Sequence, residues 1–217
     1  MQSNSQISFL TEAAAQYSAA LAGSPAVEYL AGRGIDANAS ATAHLGWTDN
    51  PLPGHESYKG RIAIPYMTRA GVVAMKFRAL DSPPGGQRYL WPAGQKSHLY
   101  NVEAVLSGKD YIAICEGEFD TLVAHHVCGV NAVGIAGVSH WKSYHSRVFR
   151  GFQYVFIIGD NDDKENGANP GQDLAAKIMH DIPHARNILL PRGTDISDFV
   201  VQFGQQALAP LLGNVVE

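Results

Sequence analysis

The segments YIAICEGEFD at residues 111–120 and YVFIIGDNDD at residues 154–163 decide the fold of this chain. Each is a short apolar run, rich in β-branched and aromatic residues, that ends abruptly in carboxylates. Such runs are typical of strands that are buried on both faces of a sheet. In an open α/β sheet, ligands bind beyond the carboxyl ends of the strands. We therefore expect four carboxylates to meet at one edge of the sheet: Glu116, Asp120, Asp160 and Asp162.

Acidic groups gathered at one edge repel one another, so a divalent metal ion is expected among them. An EF-hand loop starting at Asp160 is excluded, because its twelfth position would be Gly171 instead of a glutamate. For Asp120, an ordinary helix cap is the alternative to a role in the site. Asp195, with Asp198 three residues later, is placed either to cap a helix or to help hold a second metal ion.

Apolar runs and helical patterns alternate regularly in the C-terminal half. Strands are predicted at 111–115, 131–137, 154–160 and 185–191. Helices are predicted at 119–129, 139–151 (capped by Ser139), 171–182 and 197–212. This alternation with short connections predicts a parallel, Rossmann-like α/β domain, which we assign to residues 109–217.

The N-terminal half has a different pattern. An alanine-rich helix is predicted at 8–22 with Thr11 as its N-cap, followed by a short helix after Pro25, which makes a helical lead-in at 8–34. Residues 35–57 carry mainly turn signals. Two strands, 61–67 and 72–80, flank a glycine-containing turn, and RYLWP at 88–92 is a further short strand. Residues 1–108 are therefore predicted to form an α+β subdomain.

The charge of this first half is strongly uneven. The chain carries a net charge of −4, yet between residues 59 and 96 there is one acid, Asp81, among seven cations: Lys59, Arg61, Arg69, Lys76, Arg78, Arg88 and Lys96. A solvated surface is the ordinary interpretation of such a run. Here the cations are interleaved with tyrosine, phenylalanine and tryptophan, a pattern that suits phosphate contact together with base stacking.

Composition excludes several other classes. With 46% hydrophobic and 17% charged residues, the chain is expected to be an ordinary globular protein. Its two cysteines, Cys115 and Cys128, have no paired spacing, so neither a structural zinc site nor a disulfide framework is expected, which fits a cytoplasmic location. Neither a signal peptide nor a membrane-spanning segment is expected from the sequence.

The acidic motifs also carry a family resemblance. Glu116-Gly-x-x-Asp120 after one strand, Asp160-x-Asp162 two strands later and Gly193-x-Asp195 before a helix together resemble a Toprim domain. In the first half, YLAGRGI at 29–35, the glycine-turn segment at 61–80, RYLWP and KSHLYN at 96–101 resemble the basic subdomain that precedes Toprim in DnaG-type primases. The resemblance implies the catalytic core of a bacterial or phage primase.

For the acidic residues, the resemblance implies nucleotidyl transfer assisted by Mg²⁺ or Mn²⁺. Glu116 would be a metal ligand or the catalytic base, and Asp120 would support it. The metal ligands implied are Glu116, Asp160, Asp162, Asp195 and Asp198.

For the basic residues, the resemblance implies contacts with nucleic acid or nucleoside triphosphate by Arg61, Lys76, Arg78, Arg88 and Lys96. The partners implied are a single-stranded DNA template and the triphosphates, with a helicase and a zinc-binding module supplied elsewhere. Zinc is not expected in this chain. A phage or mobile-element origin is the corresponding expectation, with action in the host cytoplasm.

Two other functions remain open from the sequence. The same metal-assisted chemistry would make the chain a Toprim nuclease if water replaced the attacking hydroxyl group. A non-catalytic subunit that only binds single-stranded DNA is the second alternative.

Overall fold

The computed structural model describes residues 3–81, 86–96, 98–162, 167–213 and 215. The chain folds into two compact units, Met1–His98 and Leu99–Glu217. The boundary predicted from the sequence is 108/109. In the structure it falls earlier, because the Tyr100 amide donates to the carbonyl of Gly134 (2.8 Å) and the Gly134 amide donates back (3.0 Å). These two hydrogen bonds join the segment around Tyr100 to the second unit.

The first helix begins earlier than the sequence pattern predicts. Helix α1 spans Asn4–Ala19, and its N-cap is Ser3, which forms a reciprocal capping box with Gln6. The prediction of Thr11 as N-cap is wrong, since the Thr11 hydroxyl lies inside the helix and donates to the Ile7 carbonyl at 2.8 Å. The same hydroxyl accepts a hydrogen bond from the Val72 amide at 3.2 Å. Thr11 therefore links α1 to the first sheet.

Two short helices follow. Helix α2, Ala26–Gly32, lies where Pro25 and the glycine predict it. Helix α3, Ala37–Thr42, falls in a segment that we assigned to turns, and Asp36 caps it by accepting from the Ala39 amide at 2.7 Å. Its sequence, ANASAT, contains no large apolar residue and so gives no helical periodicity to detect.

The first unit is built on an antiparallel sheet in the order β1-β2-β3-β4, namely Gly46–Trp47, Arg61–Thr68, Gly71–Ala79 and Tyr89–Leu90. One face of β3, which carries Met75 and Phe77, packs in a core with Leu10 and Tyr17 of α1. Because side chains alternate along a strand, Lys76 and Arg78 lie on the opposite face. The α+β prediction for this half is confirmed.

The second unit is a parallel sheet in the order β6-β5-β7-β8, as the alternation predicts. Its strands are β5 Tyr111–Cys115, β6 Ala132–Gly134, β7 Tyr154–Ile158 and β8 Arg186–Asn187. Its helices are α4 Glu118–Leu122, which continues as a π-helical turn over Val123–Val127, then α5 Pro170–Asp181 and α6 Ile196–Phe203. The central strands β5 and β7 are almost wholly buried.

Several boundaries in this unit differ from the prediction. The helix expected at 139–151 is two 3₁₀ segments, Val138–His140 and Ser143–Phe149, separated by the extended backbone of Trp141. Ser139 therefore caps no α-helix. Strand β8 is only two residues long, and α6 gives way to 3₁₀ turns after Gly204. Within the described residues, we find no helix long and apolar enough to cross a membrane.

Candidate active site

Two of the expected carboxylate positions meet at the carboxyl ends of β5 and β7. The strands are paired so that Cys115 lies beside Ile158, and each chain then leaves the sheet in the same direction. The Glu116 carboxylate accepts a hydrogen bond from the backbone amide of Asp160, with 3.4 Å between nitrogen and Oε2. Both side chains are half-buried. The sequence prediction that these two residues converge is therefore supported by a direct contact.

Helix α5 approaches Glu116 and Asp160 so closely that its residue 171 has no room for a side chain. A Cβ atom at Gly171 would lie 2.7 Å from Glu116 Oε2 and 2.8 Å from the Asp160 nitrogen. The Gln172 side chain reaches across from the same helix turn and donates to the Asp160 carbonyl at 3.3 Å. The absence of a side chain at Gly171 thus brings the start of α5 against the carboxylates. Sequence reasoning used Gly171 only to exclude an EF-hand.

Asn161 connects the loop after β7 with the loop after β8. Its backbone amide donates to the Thr194 carbonyl at 3.1 Å, and its carbonyl accepts from the Gly193 amide at 2.6 Å. Its side-chain amide donates to the Leu190 carbonyl at 2.7 Å. Sequence reasoning missed Asn161 because it looked only for carboxylates. Three acidic loops, after β5, β7 and β8, are therefore joined by hydrogen bonds at one edge of the sheet.

Asp195 is the N-cap of α6. Its Oδ1 atom accepts a hydrogen bond from the Asp198 amide at 2.7 Å, which satisfies one of the donors at the start of the helix. Asp195 is half-buried and Asp198 is exposed. The capping interpretation of Asp195 is therefore confirmed, while a metal-binding role for either residue stays a prediction.

Asp120 is not a helix cap. Gly117 occupies the N-cap position of α4, and Asp120 lies in the first turn of that helix, 9% exposed. Burial raises the pKa of the neighbouring Cys115 thiol, and the negative charge of Asp120 raises it further, with a smaller effect from Asp160. Asp120 and Asp160 thus both lie near the end of β5, although Asp120 lies deeper in the protein.

Glu118, in the same turn, has only 1% of its surface exposed, and sequence reasoning gave it no role. It lies close to Tyr100, whose pKa is raised well above its ordinary value by burial and then by the charge of Glu118. A buried carboxylate is costly without compensating interactions. In the sequence, the position of Glu118 inside the EGEFD motif was the signal that could have indicated a role for it.

In the part of the chain that the structure describes, the acidic residues do not form a ready-made metal cage. Among the residues that the structure describes, no three or more His, Cys, Asp or Glu side chains are grouped so as to hold a metal ion. Carboxylate oxygens are nevertheless the ligands that Mg²⁺ prefers. That ion is commonly held by one or two carboxylates together with water and substrate phosphates. The neighbouring carboxylates Glu116 and Asp160, with Asp162 two residues on, fit such an ion.

The cations expected to bind phosphate fall into different environments. Lys76 and Arg78 on β3 are only 4% and 3% exposed. The Lys76 ammonium lies 4.3 Å from the ring centre of Tyr89 and 5.3 Å from that of Trp91. The Arg78 guanidinium lies over Tyr29 at 4.8 Å and donates to its hydroxyl group. Burial lowers the pKa of Arg78, while interactions with Tyr89 and Tyr29 oppose that shift.

The other three predicted cations are nearer the surface. Arg61 donates to the carbonyl oxygens of residues 87 and 88 at 3.1 and 3.2 Å, so it holds the segment that precedes β4. Arg88 is exposed and close enough to Arg78 to lower its pKa slightly. Lys96 is exposed and borders a cavity together with His98.

Comparison with known proteins defines the class. Residues 111–206 match the Toprim domain, the segment that contains β5 to β8 and all the acidic loops. The chain is also 35% identical over 156 residues to the Gene 57 protein of Mycobacterium phage D29, which covers 70% of this chain and 97% of the phage protein. The chain therefore belongs to the same family as the phage D29 Gene 57 protein, and it contains a Toprim domain.

Solved structures identify the fold of the whole chain. The zinc-binding and RNA polymerase domains of the Aquifex aeolicus primase superpose with a TM-score of 0.78 at 20% identity, over 97% of this chain and 61% of the Aquifex chain. A DnaG primase catalytic domain bound to single-stranded DNA gives a TM-score of 0.74 at 20% identity, over 96% of this chain and 78% of the other. The fold is that of a Toprim-containing, DnaG-type primase core.

Proposed function

We propose that this chain is the catalytic core of a DNA primase, which synthesises short RNA primers on single-stranded DNA. The observation that carries the proposal is the hydrogen bond between the Glu116 carboxylate and the Asp160 amide, at the edge where three acidic loops are joined. The Toprim match, the phage relative and the DnaG-type fold support the same function.

The acidic edge would bind the incoming triphosphate and activate the growing primer. Bound there, Mg²⁺ or Mn²⁺ would supply positive charge that neutralises the phosphates and polarises the α-phosphate. Asp160 and Asp162 would be the principal ligands, joined by Asp195 and less directly by Asp198. Glu116 would bind metal or take the proton of the 3′-hydroxyl, and Asp120 would support it.

The basic face of the first unit would bind the phosphates of the template or the triphosphate. Lys76 and Arg78 are held against aromatic rings and are almost wholly buried, so phosphate would reach them only once those rings move aside. Arg88 would bind phosphate together with them, and Arg61 and Lys96 would add weaker contacts. A single-stranded DNA template is further supported by the similar DnaG domain whose structure contains that ligand. A helicase and a zinc-binding module supplied elsewhere, in a host cytoplasm, complete the proposal.

The test is a primer-synthesis assay with labelled ribonucleoside triphosphates, single-stranded DNA and Mn²⁺. Template-dependent dinucleotides and longer RNA support the proposal. Shortened DNA would instead identify a nuclease. DNA binding with neither product would identify a non-catalytic subunit.

A matched pair of variants assigns the chemistry to the acidic edge. Asp160→Asn removes one negative charge from the edge, and Asp173→Asn removes one from the exposed first turn of α5. We expect Asp160→Asn to reduce primer synthesis by about 10²–10³-fold, as losses of transition-state charge stabilisation do, and Asp173→Asn to leave it unchanged. Equal activity of the two variants would contradict the assignment.

A further inference from the structure

The first unit contains a cavity of about 530 Å³ whose lining includes none of the acidic residues of the proposed reaction. One wall is the first part of α1, and the other is the segment that follows β4. Its lining includes Phe9, Leu10, His55, Pro92, Ala93 and Lys96. Its volume lies within the roughly 300–1,000 Å³ typical of small-molecule sites, which combine apolar walls with a few polar groups.

His55 presents a hydrogen-bond donor to this cavity. Its side chain is only 4% exposed, and its Nδ1 atom lies 3.0 Å from the Tyr17 hydroxyl. That hydroxyl already accepts from the Leu52 amide at 2.9 Å, so donation of its own proton to Nδ1 would satisfy both groups. In that tautomer the imidazole proton is on Nε2. Within the described part of the chain, Nδ1 alone of the two ring nitrogens has a hydrogen-bond partner.

A ligand atom that accepts from Nε2–H would give this group a hydrogen-bond partner inside the cavity. Burial lowers the pKa of His55, so the ring is neutral near pH 7 and presents an N–H group instead of a positive charge. Tyr17, Tyr58 and Phe77 surround the ring and fix its orientation. The complementary ligand atom is therefore a carbonyl oxygen or an unprotonated ring nitrogen.

The remaining lining defines the rest of the ligand. Phe9, whose ring packs edge-on against His55 at 5.2 Å, joins Leu10 and Pro92 in apolar walls suited to a flat ring. Lys96 is exposed at the border of the cavity. Burial lowers the pKa of the neighbouring His98, and the charge of Lys96 lowers it further. An ammonium group in that position favours an anionic group on the ligand.

We propose that this cavity binds a nucleotide. The base would lie between Phe9 and Pro92 and accept a hydrogen bond from His55 Nε2, and the phosphate would lie near Lys96. Phe77, which contacts His55, is on the α1 side of the first sheet, whereas Lys76 and Arg78 lie on its other face. The nucleotide would thus lie on the opposite face of this sheet from Lys76 and Arg78, while Lys96, one of the cations proposed to bind phosphate, would contribute to this site.

Isothermal titration of the full-length chain with the four ribonucleoside 5′-monophosphates, in EDTA, tests this site without metal-dependent binding. We expect one molecule to bind per chain, and the corresponding nucleosides to bind about tenfold more weakly because they lack the phosphate. Lys96→Gln should weaken the binding of the monophosphates by a similar factor. Arg69→Gln is the matched control, since it removes an exposed cation from the β2–β3 turn, and should bind normally.

Filling the cavity gives an independent test. Ala93 is exposed at the border, so Ala93→Trp should leave the thermal unfolding temperature nearly unchanged and abolish binding. Asp160→Asn should bind as the wild type does, even if it cannot make primers. Undetectable binding of all four monophosphates at millimolar concentration would overturn the proposal. The proposal would also be overturned if both Ala93→Trp and Lys96→Gln still bound the monophosphates. Loss of binding in Asp160→Asn would overturn it as well.

A competition experiment shows whether the cavity takes a free nucleotide or a nucleotide that belongs to a nucleic-acid strand. A short single-stranded oligonucleotide that displaces the bound monophosphate from the wild type, but binds Ala93→Trp weakly, would show that the cavity takes a nucleotide of a nucleic-acid strand. Retention of the monophosphate in the presence of the oligonucleotide would show that the ligand is a free nucleotide.

Discussion

The two units position their charges in different ways. In the first unit, Lys76 and Arg78 lie within strand β3, and aromatic rings lie over them. In the second unit, Glu116 and Asp160 lie just beyond the strands, where hydrogen bonds between loops and the close approach of Gly171 hold them. Charges within a strand are aligned by the sheet itself, whereas charges beyond it depend on contacts between distant segments.

The largest effect is expected from the acidic edge, where chemistry depends directly on the carboxylates. Glu116→Gln keeps an oxygen that can accept from the Asp160 amide but removes the negative charge. Primer synthesis should fall by about 10²–10⁴-fold, the range for loss of an acid–base group, with little change in stability. Glu103→Gln, at an exposed position of the same unit, is the control. A Glu116→Gln protein with normal activity would place the chemistry elsewhere.

Gly171→Ala tests whether the edge depends on backbone proximity. The added methyl group would collide with Glu116 and with the Asp160 backbone, so the carboxylates or α5 must move. We expect a loss of about 1–3 kcal/mol in the free energy of unfolding by urea, together with reduced primer synthesis. Gly151→Ala should be tolerated, because a Cβ atom there meets no atom within 4 Å. Equal stability of the two variants would argue against the tight packing.

Tyr29→Phe tests how the basic face holds a buried cation. It keeps the ring over Arg78 but removes the hydroxyl group that accepts from the guanidinium. Since a hydrogen bond to a charged group contributes about 1.5–3 kcal/mol, we expect a loss near the lower end of that range. Tyr144→Phe, at a tyrosine that is 58% exposed, provides the comparison in urea unfolding. An unchanged midpoint in Tyr29→Phe would mean that the ring alone holds Arg78.

The smallest effect is expected at Asp195, where capping and metal binding can be separated. Asp195→Ala removes the acceptor for the Asp198 amide and should destabilise the protein by about 1 kcal/mol. Asp195→Asn keeps that acceptor and should retain stability. A loss of primer synthesis in Asp195→Asn at normal stability would identify a metal ligand, whereas full activity would leave Asp195 as a cap only.

Much of the second unit could be predicted because its signals are local. The runs 111–115 and 154–158 are apolar, rich in β-branched residues and followed at once by acids, so both the strands and the edge could be anticipated. The errors fell where local signals were weak. Helix α3 has no apolar periodicity, and Ser3, which caps α1 through its capping box with Gln6, lies outside the alanine-rich pattern at 8–22.

The residues that sequence reasoning missed share one property. Gly171, Asn161 and His55 act through contacts with residues distant in the chain, and none belongs to a carboxylate or cation pattern. Residue types and their spacing were sufficient to indicate a parallel sheet, an acidic edge and a basic partner segment, because hydrophobic periodicity and charge are properties of neighbouring residues. Which carboxylate meets which amide, and which imidazole nitrogen meets the Tyr17 hydroxyl, follows from packing between segments, and only the tertiary structure decides it.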